Sequence, residues 1–112
     1  MTLRPGPGRT QRQLAGDAGE EAALAHLQRH GLVLIERNFH CRGGELDLIM
    51  RDGATLVFVE VRRRASGGHG GAAGSIGWTK QRRIVFAARH FLLRLGAPPP
   101  CRFDVVTVEQ DR

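Results

Sequence analysis

The stretch that decides the fold reads Gly44-Glu45-Leu46-Asp47-Leu48-Ile49-Met50, Arg51-Asp52-Gly53-Ala54 and Thr55-Leu56-Val57-Phe58-Val59-Glu60-Val61-Arg62. The first and last of these segments are short, rich in Val, Leu, Ile or Phe, and bounded by turn residues, which predicts two β-strands. The Asp-Gly pair between them is a strong signal for a hairpin turn. The sequence therefore predicts a β-hairpin at the centre of the fold.

Acidic residues lie inside this apolar hairpin. Because side chains alternate faces along a strand, Glu45 and Asp47 share one face. Pairing Met50 with Thr55 across the turn puts Glu45 opposite Glu60 and makes Asp47 a diagonal neighbour of Glu60, about 7–8 Å away at the backbone. A register slip of one residue would move Glu60 to the other face, so this expectation is open to test.

Two interpretations explain these carboxylates. Facing like charges destabilise a sheet, and a bound Mg²⁺ or Mn²⁺ would compensate them because hard cations prefer oxygen ligands. Alternatively, Glu45 and Glu60 face solvent and pair with arginines. Leu56 and Phe58 share the face of Glu60, which argues against a fully solvated face. Spacing alone leaves both interpretations open.

Composition predicts one domain with a polyanionic partner. The chain has 112 residues, 41% of them hydrophobic, which fits one folded domain over residues 14–112 after a loose basic tail at residues 1–13. A net charge of +6 and a pI near 11.2 favour a polyanionic partner, most often a nucleic acid. Aromatic residues make up 5% of the chain and Tyr is absent, which argues for backbone recognition by arginines rather than base stacking.

Cysteine use and hydropathy favour a cytoplasmic protein. Cys41 and Cys101 lie in no CxxC or Cys/His pattern, so we interpret both as reduced and structural and expect neither zinc nor a disulfide. No apolar run approaches the roughly 18 residues that a membrane span needs, and no apolar segment follows the first arginines as in a secretory signal.

Periodicity predicts two helices. The first runs from Gly16 to His30 with Asp17 as N-cap, and Glu20 shares a face with its leucines, so it is either an acid favoured by the helix dipole or a residue aimed at a site on the sheet. The second runs from Thr79, or a cap at Ser75, to Leu95. Its expected buried face comprises Ile84, Ala87, Ala88, Phe91, Leu92 and Leu95.

Strands are predicted at residues 32–35 and 102–108 besides the hairpin, and the glycine-rich segment 66–77 is expected to form a mobile flap beside a binding site. The predicted order is α-β-β-β-α-β, an α/β fold with helices flanking a mixed sheet.

Five blocks of the sequence, in this order, resemble the YraN family of bacterial proteins. The blocks are Gly16-x-x-Gly19-Glu20-x-x-Ala23, Gly44-Glu45-Leu46-Asp47-Leu48-Ile49, Val57-Phe58-Val59-Glu60-Val61-Arg62, Lys80-x-x-Arg83 and Arg102-Phe103-Asp104-Val105-Val106. That family is similar to Holliday-junction resolvases of the PD-(D/E)XK nuclease superfamily. The resemblance, which covers residues 14–109, implies a restriction-endonuclease-like core and metal-dependent hydrolysis of phosphodiester bonds in DNA.

The resemblance also implies roles for individual residues. Asp47 and Glu60 match the two motif acids and Glu20 matches a helix glutamate, so these three are the expected ligands of Mg²⁺ or Mn²⁺. The superfamily places a lysine where this chain has Arg62, and arginine is a poor general base although it binds phosphate well. Lys80, the one lysine among 17 basic residues, is a candidate to replace it.

The expected function is therefore a metal-dependent DNA endonuclease, with branched DNA as one candidate substrate. Two alternatives stay open: a catalytically inactive nucleic-acid-binding module on a nuclease fold, and a basic RNA- or ribosome-associated protein whose acids are structural. A homodimer would suit a two-fold symmetric junction. The candidate catalytic residues are Glu20, Asp47, Glu60, Arg62 and Lys80, and the candidate nucleic-acid contacts are Arg62, Arg63, Arg64, Lys80 and Arg83.

Overall fold

The computed structural model describes residues 11–65 and 76–110. Its elements confirm the predicted α/β class and order. They are α1 (Gln11–Arg29), β1 (Val33–Cys41), β2 (Gly44–Asp52), β3 (Thr55–Ala65), α2 (Trp78–Leu92) and β4 (Cys101–Gln110).

The four strands form one sheet in the order β1-β2-β3-β4. Strands β1, β2 and β3 are antiparallel neighbours, and β4 pairs in parallel with β3 from Leu56–Cys101 to Ala65–Gln110. The connection from β3 to β4 contains α2, as a parallel pair requires a crossover. The sheet is therefore mixed, as predicted, and β3 is paired on both sides.

One helix covers each face of the sheet, so the domain has three layers. The face under α1 buries Leu48, Met50, Val57 and Val59 against the helix residues Ala23, Leu24 and Leu27. The opposite face buries Phe39, Leu46, Ile49, Leu56 and Phe58 against Ile84, Ala87, Ala88 and Phe91 of α2.

The hairpin register differs from the prediction by two residues. Thr55 pairs with Asp52, not with Met50, because the turn consists of only Gly53 and Ala54. The positive φ of Gly53, 60°, suits a glycine in so short a turn. A shift of two residues leaves Ile49 and Phe58 together on one face and Met50 and Val57 together on the other. Strict alternation is broken at Leu46, which packs under α2 and not on the face of Leu48. The expected pairing of Glu45 with Glu60 is nevertheless wrong. The β2–β3 ladder ends at Leu48–Val59, and beyond it the Asp47 side chain accepts a hydrogen bond from the backbone amide of Val61.

Several element boundaries also differ. The first helix begins at Gln11, so Asp17 lies inside it and is not its N-cap, and residues 11–13 of the predicted tail are helical. The rest of that tail, residues 1–10, lies outside the described residues, as do residues 66–75 of the predicted flap. Strand β1 extends to Cys41, past the predicted end at residue 35.

The second helix begins after Gly77, which caps it without a side-chain hydrogen bond, and it ends at Leu92. The predicted end at Leu95 is wrong because the last residues tighten into a turn, with the amide of Leu95 donating to Leu92 at 3.0 Å. Leu95 is 36% exposed and lies outside the core. The buried positions Ile84, Ala87, Ala88 and Phe91 are confirmed.

A glycine at the start of β2 sets the position of α2. A Cβ atom at Gly44 would collide with the carbonyl oxygen of Arg83 and would lie 3.2 Å from Ala87. Only glycine therefore lets the helix approach the strand this closely. The approach carries Lys80 and Arg83 to Glu45, where both form ion pairs.

Candidate functional site

Glu60, in the middle of β3, is buried with only 9% of its surface exposed. Its Oε1 atom is buried and accepts no hydrogen bond from the described residues, while its Oε2 atom lies 3.5 Å from the Lys80 Nζ. Burial, and then the charge of Asp47, raises the pKa of Glu60 to about 7. A buried carboxylate oxygen without a donor is costly to the fold, so the position calls for a functional reason.

Asp47 is the second acid of the site. The backbone amide of Val61 donates to its Oδ2 atom at 2.8 Å, which fixes the side chain beside β3. The charge of Asp47 contributes to the raised pKa of Glu60, so the two carboxyl groups lie close enough to interact. The predicted convergence of these two acids is thus present in the fold.

Lys80 reaches both strands from the first turn of α2. Its Nζ atom lies 3.3 Å from Glu45 Oε1 and 3.5 Å from Glu60 Oε2. Partial burial opposes the charge on the lysine, but the carboxylates of Glu60, Glu45 and Asp47 outweigh it and raise its pKa. The neighbouring acids thus favour the protonated, positively charged form of Lys80.

Glu45 follows the other interpretation, pairing with arginine. Arg83 donates from Nη2 to Glu45 Oε2 at 3.0 Å and from Nε to Oε1 at 3.3 Å. The hydrogen bond from Arg83 lowers the pKa of Glu45, with a smaller contribution from Lys80. Arg83, a candidate nucleic-acid contact, is thus engaged within the protein.

Glu20 approaches the site from α1. Its Oε1 atom lies 3.8 Å from Arg37 Nη2. With the side-chain amide of Asn38 oriented so that its nitrogen faces Glu20, that nitrogen donates to Oε1 at 3.3 Å and to Oε2 at 3.2 Å. Burial, and then the charge of Asp47, raises its pKa. Gly19 brings the helix close, since a Cβ there would lie 3.1 Å from the aliphatic stem of Arg63.

A cleft of about 330 Å³ opens beside the acids. It brings Arg62 and Arg63 next to Glu60 and Lys80, which fits their predicted role as nucleic-acid contacts. Arg64 points elsewhere and pairs with Glu109 at 2.9 Å. The lining residues are Glu60, Val61, Arg62, Arg63, Ile76, Gly77 and Lys80.

The predicted three-acid metal site is not preformed. Among residues 11–65 and 76–110, no three or more His, Cys, Asp or Glu side chains are grouped so that they could hold a metal ion. The structure brings Asp47 and Glu60 together, whereas Arg37 and Asn38 hold Glu20.

Sequence reasoning missed the residues that hold the acids in place. Asn38 has a positive φ of 51°, which asparagine tolerates better than most residues. In this left-handed conformation its side-chain amide lies against Glu20. Nothing in the local pattern of β1 indicated this role. Glu45 was considered as an acid, but its function as the partner of Lys80 and Arg83 depends on the approach of α2.

These features define a small α/β protein with a carboxyl pair, a lysine and two arginines around one cleft. A family model described as "Uncharacterised protein family UPF0102" matches residues 19–108, and the chain belongs to this family. The predicted YraN membership is thereby confirmed.

Curated relatives agree with the family assignment. The chain is 58% identical over 107 residues to a UPF0102 protein of Janthinobacterium sp. (strain Marseille), covering 96% of this chain and 85% of the relative. It is 67% identical over 100 residues to one of Albidiferax ferrireducens, covering 85% and 77%. It is 62% identical over 110 residues to one of Acidovorax sp. (strain JS42), covering 95% and 83%. No helix in the described part of the chain is long and apolar enough to cross a membrane.

Proposed function

We propose that this protein is a metal-dependent endonuclease that hydrolyses phosphodiester bonds in DNA, with branched DNA as a candidate substrate. The observation that carries the proposal is the buried Oε1 of Glu60, which lacks a donor among the described residues and lies beside Asp47 at the edge of a cleft lined by basic residues. A carboxyl pair of this kind is rarely kept for stability alone, since burying it is unfavourable.

The donor chemistry of the pair suits a hard cation. Asp47 and Glu60 would hold Mg²⁺ or Mn²⁺, which take carboxylate oxygens as ligands. When bound there, the cation would polarise the scissile phosphodiester and lower the pKa of an attacking water. Glu20 lies close enough to Asp47 for the charge of Asp47 to raise the pKa of Glu20. Its carboxylate would add negative charge near the bound cation.

The cations of the site have distinct tasks in this proposal. Lys80, whose protonated form the neighbouring acids favour, would contribute positive charge toward the phosphate. Arg62 lines the cleft and can bind phosphate oxygens through two parallel hydrogen bonds. Arginine keeps its proton, so Arg62 is a phosphate ligand and not a base.

A cleavage assay tests the proposal. The substrates are four-way-junction, flap, single-stranded and duplex DNA with Mg²⁺ or Mn²⁺. Asp47→Asn and Glu60→Gln should abolish cutting. Glu36→Gln is the matched control, because its carboxylate lies on β1 in an ion pair with Arg94 at 3.0 Å. Cutting that survives both site variants would overturn the assignment of the site.

A second candidate is a nucleic-acid-binding module without catalysis. It is favoured by Arg62 in place of lysine and by the lack of a ready three-ligand group in the described residues. DNA binding that is equal in wild type, Asp47→Asn and Glu60→Gln, with no cutting, would establish it. A Mn²⁺ titration by calorimetry separates the nuclease from a purely structural acid cluster, since only the nuclease predicts binding that Glu60→Gln removes.

A further inference from the structure

The outer face of α2 carries a second apolar stripe. Trp78 is 74% exposed, Phe86 46% and Val85 42%. With Arg82 and Arg89 they recur at helical spacing on the side opposite the buried residues. Large exposed aromatic side chains grouped on one helix face mark an interaction surface.

This surface is a basic groove. Trp78, Gln81, Arg82, Val85, Phe86 and Arg89 line a concavity of about 360 Å³. Helix α2 contains no acidic residue, and neither Arg82 nor Arg89 forms an ion pair with another residue in the described ranges. The groove thus combines exposed aromatic rings with uncompensated guanidinium groups, and we name it the aromatic groove.

The aromatic groove and the cleft beside Glu60 both take lining residues from the start of α2. Gly77 and Lys80, which flank Trp78 in the sequence, line the cleft together with Glu60. A strand whose phosphate lies at Glu60 and Lys80 would reach Trp78 by crossing the first turn of α2.

We propose that the aromatic groove binds the unpaired bases of a single-stranded nucleic-acid segment, by stacking on Trp78 and Phe86 while Arg82 and Arg89 contact its phosphates. The consequence for the substrate is that the enzyme cuts next to a single-stranded segment, and this consequence rests on the proposed nuclease function. Aromatic rings interleaved with arginines are the chemistry that proteins use to hold unpaired bases. The low aromatic content of the chain had argued against stacking, but one Trp and one of five Phe residues are placed together here.

Charge favours this partner over a second copy of the chain. A symmetric interface would set the same surface of each copy against itself. Arg82 and Arg89 would then face their own duplicates with no acid on the helix to offset them. A polyanion satisfies the same groups directly.

The chain supplies its own probe for the test. Trp78 is the single Trp and there is no Tyr, so the intrinsic fluorescence excited at the indole band reports on this site alone. Oligo(dT) of about ten nucleotides, within the usual site size for single-strand binders, is titrated into the full chain in EDTA to prevent cutting. Quenching by the single strand, and much less by duplex of equal length, is expected.

Binding of labelled oligo(dT), followed by anisotropy, compares the variants. Trp78→Ala should weaken binding roughly five- to a hundredfold, the usual loss on removing one stacking ring, and Trp78→Phe should keep most of the affinity. Leu93→Ala is the matched control: Leu93 is 81% exposed but lies beyond the helix end and outside the groove, so it should bind as wild type.

Three results would overturn the inference. They are saturated oligo(dT) binding without quenching, equal quenching by duplex, and a dimer in sedimentation that Trp78→Ala converts to monomer, which would assign the groove to a second copy. Metal-dependent cutting without Trp78 quenching would remove only this inference. Trp78 quenching without cutting of any substrate would remove the nuclease proposal and leave the single-strand surface in place.

Discussion

Glu45 and Glu60 lie on neighbouring strands, and the same lysine contacts both, at 3.3 and 3.5 Å. Their environments are opposite. Arg83 donates two hydrogen bonds to Glu45 and lowers its pKa. Glu60 has no arginine partner among residues 11–65 and 76–110, and burial followed by the charge of Asp47 raises its pKa to about 7.

The difference teaches which carboxylate is structural and which is available for chemistry. Glu45 has its charge balanced and its oxygens occupied, as in an ordinary surface ion pair. Glu60 shares one lysine with Glu45 and keeps Oε1 without a donor among the described residues. An acid that the fold leaves unbalanced is the one expected to bind a cation.

The largest test of this contrast is the rate of DNA cleavage. Glu60→Gln should lower the rate roughly a thousandfold, since a metal-bound transition state is worth several kcal/mol. Glu45→Gln should cost less than about tenfold, because Glu45 only positions Lys80. Rates are measured across a Mg²⁺ titration, and equal losses in the two variants would contradict the division of roles.

The next largest effect is expected from displacing α2, the helix that brings Lys80 to both Glu45 and Glu60. Gly44→Ala puts a Cβ against the backbone oxygen of Arg83, so α2 must move off β2. Overpacking of this kind should lower the free energy of unfolding by about 3 kcal/mol in urea. Gly96→Ala meets nothing within 4 Å and should change it by less than about 0.5 kcal/mol. A stable Gly44→Ala protein would show that the close approach of α2 is not required.

The pH dependence of stability sharpens the contrast without DNA. The pKa of Glu60 rises from 4.5 to about 7 on folding, so its stabilising protonation is fully present below about 4.5 and is lost as the pH rises through about 7. In EDTA, wild type should lose on the order of 2 kcal/mol of stability relative to Glu60→Gln between about pH 5 and pH 8. Urea unfolding at each pH measures it. Parallel curves for the two proteins would show that folding does not raise the pKa of Glu60.

Glu45 should give the smallest effect. Glu45→Gln removes a partly exposed ion pair, so the melting temperature should fall by only about 2–4 °C, and less in high salt. Thermal unfolding at two salt concentrations measures this. Glu36→Gln, which loses the pair with Arg94, serves as comparison. A fall as large as that of Gly44→Ala would mean that Glu45 is central to the core.

Much of the fold follows from local pattern. Alternation and turn residues predicted the strands of the hairpin, and the helical repeat predicted Ile84, Ala87, Ala88 and Phe91 as the buried face of α2. The register required the turn length, and Asp-Gly alone does not distinguish a two-residue turn from a longer one.

The site was predicted where acids interrupt apolar strands and missed where contacts are distant in sequence. Asp47 and Glu60 stood out among Val, Leu and Phe neighbours. The arrival of Lys80 depends on the absence of a side chain at Gly44, which no periodicity encodes. Trp78 was missed because the helical repeat identifies the buried face of α2 and not the grouping of its exposed side chains.

The parallel pairing of β3 with β4 has a consequence for how the chain acquires its structure. The hairpin of β2 and β3 closes locally, but Leu56 can pair with Cys101 only after residues 66–100 have been synthesised and α2 has docked. Until then the open edge of β3 exposes unpaired amides beside Val57 and Val59, which are fully buried in the finished sheet. Such an edge is a template for pairing with other chains. We therefore expect the pairing of β4 with the strand that carries Glu60 to be the slow step of assembly and the stage most prone to aggregation.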